Sequence, residues 1–478
     1  MNKMEYEIIR PNVSNFVKSL RDVGYTFEIA VADIIDNSVT ANASDIYIFA
    51  TKEPEMSLSI LDNGVSMNEK ELVEAMRLGS KDPSLERQDN DLGRFGLGLK
   101  TASFSQCKKM TVVTKQQTTV NFRQWDLVKL EEENEWKLGK PNEAALMNNE
   151  AYLKLMKQTS GTLVIWEDID AIESEVFDET IINLNRHLSL VFHRFLEGET
   201  KIKKIKIYTN YNLLEPFNPF NPRHKATQIL QEEKIKYSGH SIAVQPYILP
   251  HHSKISDKEY ERYATEEGYT KSQGFYLYRE GRLLIYGTWW GLNRVSDMHR
   301  LVRIKVDITN KQDHLWNIDV KKSTASPQKG IRTHLTKLLK DVLTQGTRPY
   351  TGRGRKINIS ATVPTWEVSI SPQKDDIRFT INKQHPFFVE IQSKVSEELQ
   401  ALINVYISSL EANLPITAIQ SHMITNPYAI KQEEQMDIDD VKGIICSLRE
   451  AGYTDEKIKG ILDNDVLNKA EGLFDESH

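Results

Sequence analysis

Apolar residues in the first third of the chain switch between two periods, and the switches mark its elements. Phe27, Ala30, Val31, Ile34 and Ile35 fall at helical spacing with Thr26 placed as a cap, predicting a helix over Phe27–Thr40. Ile46 and Ile48, then Leu58 and Ile60, alternate with their neighbours and predict strands over 45–50 and Ser57–Asp62. Asn68 followed by Glu71 has the form of a capping box and opens a helix running to Gly79. Residues 109–115 and 161–166 read as further strands, whereas 80–98 is polar and glycine-rich and reads as a loop. A second α/β unit follows from strand patterns at 203–209, 275–278, 283–286 and 301–308. Glu280-Gly281 would turn a hairpin between the middle two, and 331–343 is an amphipathic helix. The Gly/Pro/Arg stretch at 346–356 reads as a linker or basic loop. Beyond it come two short strands within 366–382, a helix over 388–413, and two short helical patterns around Gly452. The expected division is 1–195, 196–345, 346–432 and a small helical tail at 433–478.

Composition narrows the class. The chain has 478 residues, 39% apolar and 27% charged, enough for several cores. Its net charge of −6 argues against a wholesale nucleic-acid coat, so any such contact would come from a local basic patch. Cys107 and Cys446 lie far apart and in no metal-ligand spacing, which fits a reducing, cytoplasmic setting rather than a disulfide framework or zinc site. The N-terminus lacks the apolar region of a signal peptide, and the chain has no apolar run long enough to span a membrane.

Three segments carry candidate chemistry. Asp33 and Asn37 stand at i and i+4 on the first helix and share a face. Asp33, Asp36 and Asn37 are poor helix-interior residues set in an apolar run, and such local violations are expected where function is. Leu61-Asp62-Asn63-Gly64 follows a strand directly; a carboxylate there can accept from an exocyclic amine such as that of adenine, with Gly64 allowing close approach of the base. Gly93, Gly96 and Gly98 lead into a helix starting near Leu99, whose free N–H groups, with Lys100 and Thr101, suit a triphosphate. The spacing is neither that of a Walker A loop nor that of a Rossmann fingerprint. Alone, each segment has an ordinary reading: a solvated helix face, a turn, a flexible loop. Their order makes the set specific.

That ordered set resembles the GHKL superfamily of gyrase-type ATPases, heat-shock chaperones, histidine kinases and MutL repair proteins. Within it, the chain looks most like the MORC ATPases and their prokaryotic and chaperone-like relatives. Ala32-Asp33-Ile34-Ile35-Asp36-Asn37-Ser38 is similar to the first motif, Asp62-Asn63-Gly64-Val65-Ser66-Met67 to the second, and 93–100 to the lid motif. Gly161-Thr162 resembles the late Gly-Thr that closes the adenine site. The resemblance covers roughly 1–345 and is strongest in the first third. It implies an α+β chain: a Bergerat-fold ATPase domain, a mixed sheet covered by helices on one face, then a transducer-like α/β domain and a small, mostly helical C-terminal region.

The resemblance also implies ATP and Mg²⁺. Asn37 would hold Mg²⁺; Asp62 would read the adenine amine with Gly64 and Thr162, and Met67 would pack on the base. Gly93, Gly96, Gly98, Leu99, Lys100 and Thr101 would wrap the phosphates as a lid. Asp33 stands where the family has a glutamate that activates water, one methylene shorter, and Ser66 replaces the second glycine of the second motif. A transducer lysine reaching the γ-phosphate falls in the 316–323 segment, where Lys322 is favoured over Lys321. The run 278–285 also resembles a MORC transducer strand. The implied activity is ATP hydrolysis by an ATP-dependent homodimer acting on DNA or a protein partner, with prokaryotic defence as a setting and no membrane attachment. The rivals are a non-hydrolysing ATP sensor and a chaperone-like ATPase. A histidine kinase ranks low, because no phosphoacceptor histidine precedes the first motif.

Overall fold

The computed structural model describes residues 7, 12–79, 92–93, 98–199, 204–265, 268–319, 322, 324–351, 365–370, 377–425 and 438–462. The chain divides into two compact units, Met1–Thr351 and Gly352–His478.

The first unit holds two sheets. One contains β1 (Asp45–Thr51), β2 (Ser57–Asp62), β3 (Cys107–Gln116), β4 (Thr119–Asp126), β5 (Ser160–Ile169), β6 (Lys206–Thr209) and β7 (Asn212–Leu213) in the order β4-β3-β5-β2-β1-β6-β7. Its pairings are antiparallel except for β1 with β6, so the sheet is mixed. Side chains alternate between its faces. Ile46, Ile48, Ile60, Val112 and Val164 bury one face under the helices α1 (Val13–Arg21), α2 (Phe27–Thr40), α3 (Glu69–Met76) and α4 (Gly98–Phe104), and under Phe177–Val191. Leu61, Val113, Leu163 and Ile165 point the other way, against the short helix Glu150–Met156. This is the α+β layered architecture that the resemblance implies, with a small helix added on the second face.

The helices begin where the sequence places their caps. Thr26 accepts from the Ile29 amide at the start of α2, and Asn68 with Glu71 forms the expected capping box of α3. Helix α3 ends at Met76, three residues before Gly79. Helix α2 is buried almost all round, because its apolar residues face both the sheet and the neighbouring helices.

The other sheet contains β8 (Gln228–Ile229), β9 (Glu233–Tyr237), β10 (His240–Ile248), β11 (Gly274–Arg279), β12 (Arg282–Thr288) and β13 (Val302–Ile308). Its order is β12-β11-β13-β10-β8, with β9 beside β10. Glu280 (φ 49°) and Gly281 (φ 83°) turn β11 into β12, the positive φ pair that matches strand twist in a two-residue hairpin. Helix Lys329–Thr351 lays Ile331, Leu335, Leu338 and Val342 over Val302, Ile304 and Val306.

Three expectations are corrected. The strand read at 203–209 as part of the second unit is β6, which pairs with β1 in the first sheet. The linker expected from Gly346 starts inside a helix that runs on to Thr351; one glycine costs about 1 kcal/mol, less than the burial of that helix's apolar stripe provides. The single helix expected over 388–413 is two, Pro386–Lys394 and Glu397–Ala412, divided where Val395 and Ser396 turn to extended backbone and Ser396 takes the N-cap position. In this second unit β14 (Trp366–Ile370) pairs antiparallel with β15 (Ile377–Ile381), as read from sequence. Ile445 and Ile458 bury the contact between Ile438–Glu450 and Asp455–Leu462.

Gly161 sits where β5 passes β2, and a Cβ there would collide with the backbone oxygen of Asp62. Gly161→Ala is expected to lower stability by about 1–3 kcal/mol through overpacking. Urea unfolding checks this, and an unshifted midpoint would contradict it.

Candidate functional site

The first motif contributes one face of α2. Asp33 is buried: its Oδ2 accepts from the Tyr25 hydroxyl at 3.1 Å and its Oδ1 from Lys322 Nζ at 3.1 Å. Asp36, one helical turn on, is also buried and accepts from Lys322 Nζ at 2.6 Å on Oδ2 and from Arg282 Nε at 2.9 Å on Oδ1. Two carboxylates and two cations therefore meet in one place, Arg282 and Lys322 both arriving from the second sheet and the loop after it. Lys322 itself has φ 56°, a left-handed conformation that costs a non-glycine residue about 1–3 kcal/mol and clusters at functional sites. Burial pushes the Asp33 carboxyl upward; Lys322 opposes that rise and Asp36 adds to it. Burial, reinforced by the neighbouring Asp33 charge, likewise raises the Tyr25 hydroxyl, so it stays protonated and donates.

Asn37 stands apart from its helix neighbours, since it is exposed. Its Nδ2 donates to the Asp33 carbonyl at 3.2 Å. Its Oδ1 has no hydrogen bond among the described residues. The next residue, Ser38, is buried and donates to Asp62 Oδ2 at 2.9 Å, which ties α2 to the end of β2.

Asp62 ends β2 with its carboxylate buried. Its Oδ1 takes the amides of Gly64 at 2.8 Å and Thr162 at 3.3 Å. Among the described residues its Oδ2 takes Ser38 alone, leaving one acceptor direction on that oxygen. The pairing register aligns Asp62 with Thr162 and Thr162 with Thr114, so the three side chains form a row on the helix-covered face. The Thr114 hydroxyl is buried in that row with no hydrogen-bond partner among the described residues. Met67 is half-buried and packs on the helix-side core.

The Gly64 expectation changes in its reason. A Cβ there would meet the Ala41 carbonyl at 2.7 Å, so the glycine is required by the end of α2 packing onto the strand-end turn. Ser66 donates to the Gly161 carbonyl at 2.8 Å and ties the second motif to the late Gly-Thr, a bond glycine cannot make.

Of the glycine-rich segment, Gly96 and the rest of 94–97 lie outside the described residues, as does Lys321. Gly93 and Leu99 are half-buried, and Gly98 opens α4 so close to Asp33 that a Cβ would stand 3.5 Å from its Oδ2. Thr101 is buried and bonds the Tyr25 hydroxyl. Lys100, expected among the phosphate ligands, is buried and its Nζ donates to the Ala75 carbonyl at 2.9 Å. The last carbonyls of α3 lack helical donors and carry the negative end of its dipole, which draws the lysine there.

Sequence reading singled out neither arginine of the hairpin. Arg279 binds Asp313 through two nitrogens and donates to the Leu92 carbonyl at 3.1 Å, while Arg282 holds Asp36. The available signal was an Arg at each end of a predicted two-residue turn.

Burial holds the Asp62 carboxyl above its usual range, against the lowering bonds of Gly64, Ser38 and Thr162. The native state therefore keeps a proton that the unfolded chain has released, and its stability falls as pH rises from about 4 through the raised value. Asp62→Asn removes that loss and can still pair with Ser38 and both amides. Its stability advantage over wild type is expected to grow with pH in thermal melts from pH 4 to 8; parallel curves would refute this.

Residues 25–162 match the family described as "Histidine kinase-, DNA gyrase B-, and HSP90-like ATPase". The chain is 32% identical over 96 residues to ATPase MORC2B of Mus musculus, covering 19% of this chain and 9% of that one. It is 36% identical over 89 residues to chaperone protein HtpG of Clostridium perfringens, covering 17% and 14%. The matched stretches thus span a small part of either relative. The solved ATPase and transducer domains of DNA topoisomerase II from Balamuthia mandrillaris align with 68% of this chain and 85% of theirs, at 12% identity and a TM-score of 0.39. Residues 25–162 thus form a domain of the histidine kinase-, DNA gyrase B- and HSP90-like (GHKL) ATPase superfamily.

Proposed function

We propose that the chain binds ATP with Mg²⁺ between α2 and the ends of β2 and β5, and hydrolyses it. The observation that carries the reading is the meeting of Lys322, from beyond the second sheet, with Asp33 on α2. A cation and a carboxylate brought together from two sheets suit a reaction in which negative charge develops beside an activated water. In this reading Asp62 Oδ2 accepts the adenine amine, with Gly64 and Thr162 fixing the carboxylate through their amides and Met67 packing on the base. The row reaching Thr114 adds a hydroxyl to that end. Gly93, Gly98, Leu99 and Thr101 flank the phosphates, Asp33 orients water, and Lys322 takes the terminal phosphate.

The donor set suits Mg²⁺. Asn37 commits its nitrogen to Asp33 and leaves its oxygen, and no cluster of three His, Cys, Asp or Glu ligands occurs among the described residues. A single amide oxygen suits an ion that takes its other ligands from phosphate and water. When bound, Mg²⁺ neutralises phosphate charge.

The family match of residues 25–162 further supports nucleotide-dependent dimerisation; in this reading the output acts on DNA or a protein partner, with prokaryotic defence as a setting. A second reading, an ATP sensor without turnover, is favoured by one observation: both oxygens of Asp33 are occupied, by Tyr25 and Lys322. Among the described residues no helix is long and apolar enough to cross a membrane.

Equilibrium binding tests the proposal. Asn37→Ala and Asp62→Asn are each expected to weaken Mg²⁺–ATP by at least about tenfold, the loss of roughly one good polar contact. Intact affinity in both variants would overturn the reading. Phosphate release separates turnover from sensing: Asp33→Ala is expected to fall by about 10²-fold or more where Asp33 is the base. A wild type that binds ATP yet releases no phosphate, with or without DNA, establishes the sensor.

A further inference from the structure

We infer that Asp36 is a positioning residue that holds Lys322 on Asp33 until a nucleotide's terminal phosphate draws it away, and that Arg282, sharing Asp36, limits how tightly it does so. This rests on the ATP-binding reading above. Asp36 bridges two cations, Arg282 on one oxygen and Lys322 on the other, and its bond to Lys322 is the shorter of that lysine's two, 2.6 Å against 3.1 Å. All four side chains are at most 7% exposed, so the attractions act with little screening by water.

The arrangement has a built-in exit. When Lys322 leaves, Asp36 keeps Arg282 as its cation. Asp33 keeps the Tyr25 hydroxyl and gains an uncovered Oδ1, the oxygen a water would need. The exchange is one of ion pairs, in which no covalent bond forms or breaks. The left-handed backbone of Lys322 fits such a role, since the side chain's own pairs help to hold the turn there. Arg282 therefore sets how tightly Lys322 is held. Without it, Asp36 faces Lys322 alone and grips harder. With Asp36 and Arg282 both made neutral, only Asp33 retains the lysine.

The test is the ratio of affinities for a non-hydrolysable ATP analogue and for ADP, measured by titration in EDTA without Mg²⁺. ADP lacks the phosphate that would compete for Lys322, so it reports the rest of the pocket. Asp36→Asn/Arg282→Gln is expected to raise the triphosphate-to-diphosphate ratio about fivefold or more, and Arg282→Met to lower it by a similar factor. Arg282→Lys keeps a cation beside Asp36 and stays near the wild-type ratio. Should Arg282→Met fail to fold in a thermal melt, the double variant and Arg282→Lys decide. Equal losses for both nucleotides, or an unmoved ratio in the double variant, would mean a purely structural role and overturn the inference while leaving ATP binding intact. A wild type that binds neither nucleotide, in EDTA or with Mg²⁺ restored, would end the ATP reading and this one with it.

Discussion

The site depends on a neutral cluster of buried charge. Asp33 and Asp36 lie on a helix that is otherwise packed like a core element, and two carboxylates in such surroundings are tolerable only with cations beside them. Those cations come from the second sheet and its following loop. Removing one partner from a buried pair of this kind costs about 3–5 kcal/mol, because it strands the other charge. The cluster therefore works as a structural join between the two sheets, and in the proposed function it is the reactive centre as well. Separating those two roles needs measurements that compare ligands rather than activity alone.

Much of the first sheet and its motifs is legible in the sequence, because local rules govern it. The Thr26 cap, the Asn68–Glu71 box, the strand alternation at Ile46–Ile48 and Leu58–Ile60, and the Glu280-Gly281 turn are each decided within a few residues. Lys322 is legible too, through the loop that the family resemblance singles out. What escapes is long-range. The strand at Lys206–Thr209 joins the first sheet because β1 offers it a parallel edge, and nothing in its own residues says so. The roles of Arg282 and Tyr25 depend on partners 246 and 8 positions away. The bond from Lys100 to the Ala75 carbonyl at the end of α3 is likewise absent from anything its own motif says.

The second motif shows how a departure from a family pattern can be compensated. Serine at position 66 gives up the space of a glycine and gains a hydroxyl that ties the turn to Gly161. The strand-end carboxylate is then held from three sides, by Ser38 on the helix, by its own turn at Gly64, and by Thr162 across the sheet. In the proposed function, this firm hold on Asp62 fixes the adenine end, while Asn37 at the metal end is exposed.

The hairpin between β11 and β12 acts as a ruler. Arg279 and Arg282 are opposite each other in register across the two-residue turn, so their side chains leave the same face a fixed distance apart. One grasps the Leu92 carbonyl and the other Asp36. Adding or deleting a single residue in that turn would shift one arginine to the wrong face and break both grips together. Among homologous chains built this way, the turn should accept changes of residue identity far more readily than changes of length.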